Sequence, residues 1–205
     1  MQLYSRLTTL AAVSVFLLIA AISLNPVSMQ EAFAKSPAPA KKLLIAKKTK
    51  KTRKKGDETV VTVVTNKGPF QIQIFEEDVP VTSAHFLSLV KEGFYNGLTF
   101  HRYDPQFVIQ GGDPTGTGTG GSGKTIPLEV SDKLKHSEMG MVGLARKSDP
   151  NSGSSQFYII LSPRSELDND YAVFGKVIEG LDIVYQLRKG DKMQEVYIEG
   201  TKNEK

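Results

Sequence analysis

Phe100-His101-Arg102-Tyr103-Asp104-Pro105-Gln106-Phe107-Val108-Ile109-Gln110-Gly111-Gly112-Asp113 is the stretch on which the reading of this chain turns. Residues 107–110 have the look of a short strand, closed by a pair of glycines. A glutamine amid Val108, Ile109 and those glycines would be wasted as a core residue, so Gln110 points to a polar task. An arginine after an aromatic is, taken alone, usually a solvated surface charge, and Arg102 by itself says no more than that.

Working outward, residues 59–65 are β-branched, and Phe70, Ile72 and Ile74 alternate with Gln71 and Gln73. Asn66-Lys67-Gly68 between them predicts a hairpin. Residues 80–92 predict a helix: Asp78 stands near its start, Ala84, Phe86, Leu87 and Val90 recur at helical spacing, and Gly93 ends it. Short apolar strands are expected at 141–145, 157–161 and 172–177, a second helix at 181–188 and a last strand at 194–198. Many short strands with two helices argue for a mainly β fold, an antiparallel barrel that is closed or nearly closed, rather than for βαβ repeats.

Further segments extend the opening stretch: Gly143-Leu144-Ala145-Arg146, Ser155-Gln156-Phe157-Tyr158-Ile159 and Ala172-Val173-Phe174-Gly175-Lys176-Val177. With F-H-R-x-x-x-x-F-x-x-Q-G-G-D ahead of them, the chain from about 59 to 198 resembles the cyclophilin family, in its compact bacterial form. The resemblance implies an eight-stranded antiparallel β-barrel capped by two α-helices. It implies peptidyl-prolyl cis-trans isomerase activity, with proline-containing polypeptides as substrates. The family's catalytic arginine falls on Arg102, its proline pocket on Phe107, Val108, Tyr158 and Leu167, and its substrate-backbone contacts on Gln110, Ala145 and Arg146. Tyr171 stands at the pocket edge, where many eukaryotic members have histidine. For Arg146 the competing reading is a solvated rim charge, and His101 is expected to hold its strand by a hydrogen bond. Many eukaryotic members carry a tryptophan before the leucine matching Leu167. Here it is Glu166, and the chain has no tryptophan, which predicts weak cyclosporin binding with isomerase activity retained.

These residue types suit the chemistry. Rotation about an Xaa-Pro bond breaks amide resonance against a barrier of roughly 18–20 kcal/mol. In the twisted state the nitrogen regains a basic lone pair. A permanently protonated donor with a rigid fork, as arginine is, binds that state better than either planar one and so lowers the barrier. No nucleophile, metal, cofactor or general base is needed. The chain has no cysteine and three histidines, His85, His101 and His136, without metal-ligand spacing.

Gly118-Thr119-Gly120-Gly121-Ser122-Gly123-Lys124-Thr125 fits the phosphate-loop pattern. That chemistry needs a strand before the loop and a helix after it. Asp113-Pro114 precedes it as a turn, and Ile126-Pro127 after it favours extended backbone. Residues 118–125 therefore read as a surface loop, and no nucleotide partner is expected.

The net charge of +4 hides two opposite parts. Lys35 to Lys55 holds ten basic residues and no acid, whereas residues 56–205 carry 15 basic against 21 acidic. Residues 1–34 read as an export signal, with Arg6 ahead of an apolar run over 7–24 and an Ala32-Phe33-Ala34 cleavage pattern. A run of about 18 residues is also at the lower edge for a membrane span, so an uncleaved anchor is the second reading. Residues 35–57 form a disordered Pro/Lys-rich linker in this reading, a spacer or a contact for anionic membrane surfaces and other polyanions. Residues 58–205 form the isomerase domain, expected to act as a monomer in a periplasm, a lumen or the medium. A proline-segment binding module with incidental turnover is the alternative, and the intact Arg102 favours the enzyme.

Overall fold

The computed structural model describes residues 58–201; the signal, anchor and linker readings of 1–57 fall outside the described residues. β1 (Thr59–Thr65) and β2 (Gly68–Ile74) form the expected hairpin, with Thr65 paired to Gly68. Val61, Val63, Phe70, Ile72 and Ile74 are buried, as a period of two requires. α1 (Pro80–Lys91) opens on a proline whose fixed φ suits a first turn. Asp78 does not cap it, because its carboxylate pairs with Lys133. The cap comes instead from Glu129, whose carboxylate accepts the Val81 and Thr82 amides at 3.1 and 2.7 Å. These are two of the donors that every helix start leaves without a partner.

β3 (Phe100–Asp104), β4 (Val108–Gly111), β5 (Met141–Leu144), β6 (Phe157–Ile160), β7 (Val173–Glu179), α2 (Leu181–Gln186) and β8 (Met193–Ile198) complete the chain. The sheet order is β3-β4-β6-β5-β7-β2-β1-β8, and every neighbouring pair is antiparallel. Its two edges meet: Thr99 bridges to Lys192, and the Phe100 amide donates to the Asp191 carbonyl at 2.8 Å. The expected barrel is thus formed. α1 sends Phe86 inside, where its ring lies 4.9 Å from Phe174 and 5.6 Å from Phe157. α2 stops two residues earlier than its composition predicts. Leu187 turns extended (ψ 142°) and is fully buried, so a core contact ends the helix.

Two apolar clusters divide the sheet. Phe100, Ile109, Val142, Phe157, Ile159 and Phe174 face the barrel interior. Val108, Met141, Tyr158, Ile160 and Val173 form a smaller cluster on the opposite face. Because both faces of β5 and β6 are covered, Met141–Leu144 and Phe157–Ile160 read as unbroken apolar runs.

Candidate active site

The site begins with a break in the β3–β4 register. Asp104 pairs with Val108, Tyr103 with Ile109 and Arg102 with Gln110, and then the register shifts so that Phe100 meets Gly111. His101 is the extra residue. Strict alternation would send Phe100 and Arg102 to one face. The bulge instead buries Phe100 in the core and turns Arg102 outward beside Val108 and Gln110, a common use of a bulge next to a functional site. The glycine pair that follows is equally constrained. Gly112 has φ +86°, and a Cβ on it would lie 2.3 Å from the Ser155 carbonyl oxygen.

Arg102, Phe107, Val108, Gln110, Ala145, Arg146, Tyr158, Leu167 and Tyr171 together line one open pocket of ≈ 230 Å³. Residues as far apart in the chain as Arg102 and Tyr171 are therefore brought together, and each predicted site residue is among them. A neighbouring pocket of ≈ 260 Å³ shares Ala145 and Arg146 and is walled by Gly118, Gly120, Gly121 and Gly123. No helix opens after Thr125; Ile126 bridges to Gly153 as extended chain.

The Arg102 guanidinium is held but not consumed. Nη2 lies 3.1 Å from Asp104 Oδ2, and both side chains are nearly half exposed, so the pair is weak. Nη1 donates a long 3.4 Å bond to Gln110 Oε1. Gln110 Nε2 donates to Gln156 Oε1 at 2.8 Å, and Gln156 Nε2 donates to the Gly118 and Gly120 carbonyls at 3.0 and 2.8 Å. The glycine loop that these carbonyls belong to is fixed by Asp113, 1% exposed. Its carboxylate accepts the Thr115, Gly118 and Gly120 amides and the Thr115 hydroxyl. Burial works against the charge of Asp113, but these donors outweigh it and hold the pKa near 2. The Phe107 ring lies between two cations, with Arg102 Cζ 5.3 Å and Arg164 Cζ 5.0 Å from its centroid.

Gln156 is a site residue that the sequence reading does not mark, although extended backbone places 156 and 158 on one face, and Tyr158 pairs with Gln110. His101 is buried with Gln156 beside its ring, and neither ring nitrogen reaches a partner in full hydrogen-bond geometry among the described residues. Arg146 is not a solvated rim charge. Its side chain is 14% exposed, its Nε donates to the Asp170 carbonyl at 2.7 Å and its Nη1 to the Lys147 carbonyl at 2.9 Å. Its Cζ stands 4.7 Å from the centroid of Tyr171. Arg146 thus braces the Tyr171 wall.

The pocket wall also has a base. Tyr158 stands over Gly143, where a Cβ would lie 2.4 Å from the tyrosine Cζ. Its ring meets Tyr171 edge-on at 6.1 Å, and its hydroxyl lies 2.8 Å from His136 Nε2.

Comparison with known proteins places this geometry. The family model described as cyclophilin type peptidyl-prolyl cis-trans isomerase/CLD matches residues 60–203. Peptidyl-prolyl cis-trans isomerase B of Bacillus subtilis is 44% identical over 130 residues, 63% of this chain and 90% of the relative. A peptidyl-prolyl cis-trans isomerase of Synechococcus elongatus is 42% identical over 142 residues, 68% of this chain and 96% of the relative. A cyclophilin type isomerase of Cryptosporidium parvum, solved by crystallography, superimposes with a TM-score of 0.67 at 31% identity, covering 70% of this chain and 99% of its own. A second crystal structure of that protein, in the presence of the dipeptide Ala-Pro, gives 0.65 at the same identity, covering 69% of this chain and 99% of its own.

Proposed function

Since the chain belongs to the cyclophilin family of peptidyl-prolyl cis-trans isomerases, we propose that its Arg102 is the catalytic group and that it works on the Xaa-Pro bonds of exported polypeptides, assisting their folding. The observation that carries the first half is one juxtaposition: a half-exposed guanidinium lines the same pocket as the apolar side chains of Phe107, Val108 and Leu167 and the ring of Tyr158.

A prolyl ring entering that pocket is buried against aromatic and aliphatic surface, which excludes water and strengthens polar contacts made there. The peptide carbonyl before proline is then free to swing while the ring is held. As the bond twists, the imide nitrogen becomes pyramidal, and its lone pair meets a donor of Arg102. The planar ground states present no such acceptor, so the contact favours the transition state alone. Gln110 and Gln156 keep the fork aimed, and Asp104 limits its swing without neutralising it. Ala145 offers backbone at the pocket edge for the substrate chain. The crystal structure of the Cryptosporidium relative in the presence of the dipeptide Ala-Pro supports a proline-containing ligand for this chain.

The exported setting rests on the sequence of residues 1–34, with its apolar run and Ala32-Phe33-Ala34. The ten basic residues from Lys35 to Lys55 support contact with anionic surfaces near a membrane. Glu166, exposed and paired with Arg164 at 3.5 Å, supports weak cyclosporin binding. The test is twofold. The purified protein should accelerate cis-to-trans conversion of an Xaa-Pro peptide, and the protein recovered from its native cells should be found outside the cytoplasm. An inactive protein overturns the first half, and a cytoplasmic one the second.

A further inference from the structure

We propose that His136 is a positioning residue of the isomerase site, fixing the Tyr158 wall of the proline pocket through a relay of two hydrogen bonds that starts at Asp168. This rests on the assignment of that pocket to the prolyl ring. His136 is fully buried and distant in sequence from both partners. Its Nδ1 lies 2.9 Å from Asp168 Oδ1, its Nε2 2.8 Å from the Tyr158 hydroxyl, and its own amide donates to Asp168 Oδ1 at 2.7 Å.

The direction of the relay follows from its end. Burial disfavours the Asp168 charge, but the amide and ring of His136 outweigh that and lower its pKa, so Asp168 is a carboxylate and can only accept. Nδ1 therefore carries the ring hydrogen. In the neutral ring, Nε2 is then an acceptor, and the Tyr158 hydroxyl must donate to it. Both ring nitrogens of His136 and the Tyr158 hydroxyl thus have complementary partners.

The relay acts at the hydroxyl end of Tyr158. Gly143 packs against that end and Tyr171 meets the ring edge-on, but both are van der Waals contacts without direction. The bond to His136 adds a directional one. A phenylalanine would fill the same space without that anchor, so the hydroxyl serves the position of the wall.

Protonation of His136 reverses the last step. Nε2 then donates, and the Tyr158 hydroxyl must turn its hydrogen away in a buried site. The groups facing the ring are Tyr158 from β6, and Asp168 and Glu166 from the segment after it; Lys135 adjoins it in the chain and acts on Asp168. Burial lowers the His136 pKa, and Asp168 and Glu166 oppose that without cancelling it. The relay is thus intact at neutral pH and fails on the acid side of 6.5.

Tyr158→Phe tests this in the full-length protein. At neutral pH, long-range proton–nitrogen spectra of the parent should show His136 protonated on Nδ1 and bare on Nε2. The variant should shift the Nε2 resonance and leave the Nδ1 hydrogen in place. In kinetics, the variant should raise KM for an Xaa-Pro peptide about five-fold, the effect of one ordinary hydrogen bond, with kcat nearly unchanged. The parent's KM should rise as the pH falls below 6.5, and the variant's should stay flat. A parental tautomer with the hydrogen on Nε2, or a variant with the parent's KM and pH profile, overturns the proposal. If the parent itself does not isomerise peptides, the pocket assignment fails, while the tautomer still decides the relay.

Discussion

At the scale of single residues, the site depends on where a few side chains are forced to stand. Arg102 reaches the pocket only because His101 is looped out of register. Nothing in the local pattern of Phe100-His101-Arg102 announces a bulge, and alternation alone predicts the wrong face. The residue identities were legible through the motif they form, which is why each predicted pocket residue lines the pocket. Gln156 and His136 were not, because their roles depend on partners far away in the chain. Gly143 makes the same point and yields a prediction. Gly143→Ala places a methyl 2.4 Å from Tyr158 Cζ, so the ring must move or the strands must part. We expect a loss of about 1–3 kcal/mol of stability from overpacking, together with a raised KM in peptide isomerisation. Parental thermal stability and parental KM in the same variant would show that Tyr158 is free to yield.

At the scale of elements, the helices and the hairpin were legible because their periodicity is local. Their ends were less so, because distant contacts set them. α1 is the clearest case: Asp78 stands near its start in sequence, but Glu129 supplies the cap. Glu129→Ala should cost about 1 kcal/mol, the usual worth of a lost N-terminal cap. Asp78→Ala removes an ion pair with an exposed lysine and should change stability by about 0.5 kcal/mol or less. Denaturant midpoints of the two variants measure the contrast, and equal losses would reassign the cap. β3 was hidden because a strand containing a histidine, an arginine and an aspartate among its residues carries no apolar alternation. The unbroken runs of β5 and β6 were visible as strands, but two-sided burial concealed which residues face the pocket.

At the scale of the whole molecule, the barrel followed from the count and spacing of short strands, whereas the strand order and the closure at Thr99 and Lys192 depend on long-range pairing. Burial of titratable groups gives the fold a definite response to acid. His85, His101 and His136 all have pKa values lowered from 6.5, burial being the first cause in each. The unfolded chain therefore binds more protons than the native one as the pH drops below 6.5, and stability is lost there. Asp113, Asp168 and Asp191 have pKa values lowered from 3.8. Their contribution is present above 3.8 and is lost as the pH falls below it through the lowered native values, that of Asp113 being about 2. Thermal midpoints should be nearly level above pH 7, fall between 6.5 and 5, and fall again below 4; a midpoint that rises between pH 7 and 5 contradicts the burial argument. Catalysis is assigned to one exposed-edge cation that the barrel presents without relying on it for stability. The most direct measurement is the rate of prolyl isomerisation by Arg102→Ala beside its unfolding midpoint. The expected result is a fall in kcat/KM of about two orders of magnitude, the scale of one lost transition-state donor, with the midpoint unchanged; a variant that isomerises peptides as fast as the parent contradicts the account.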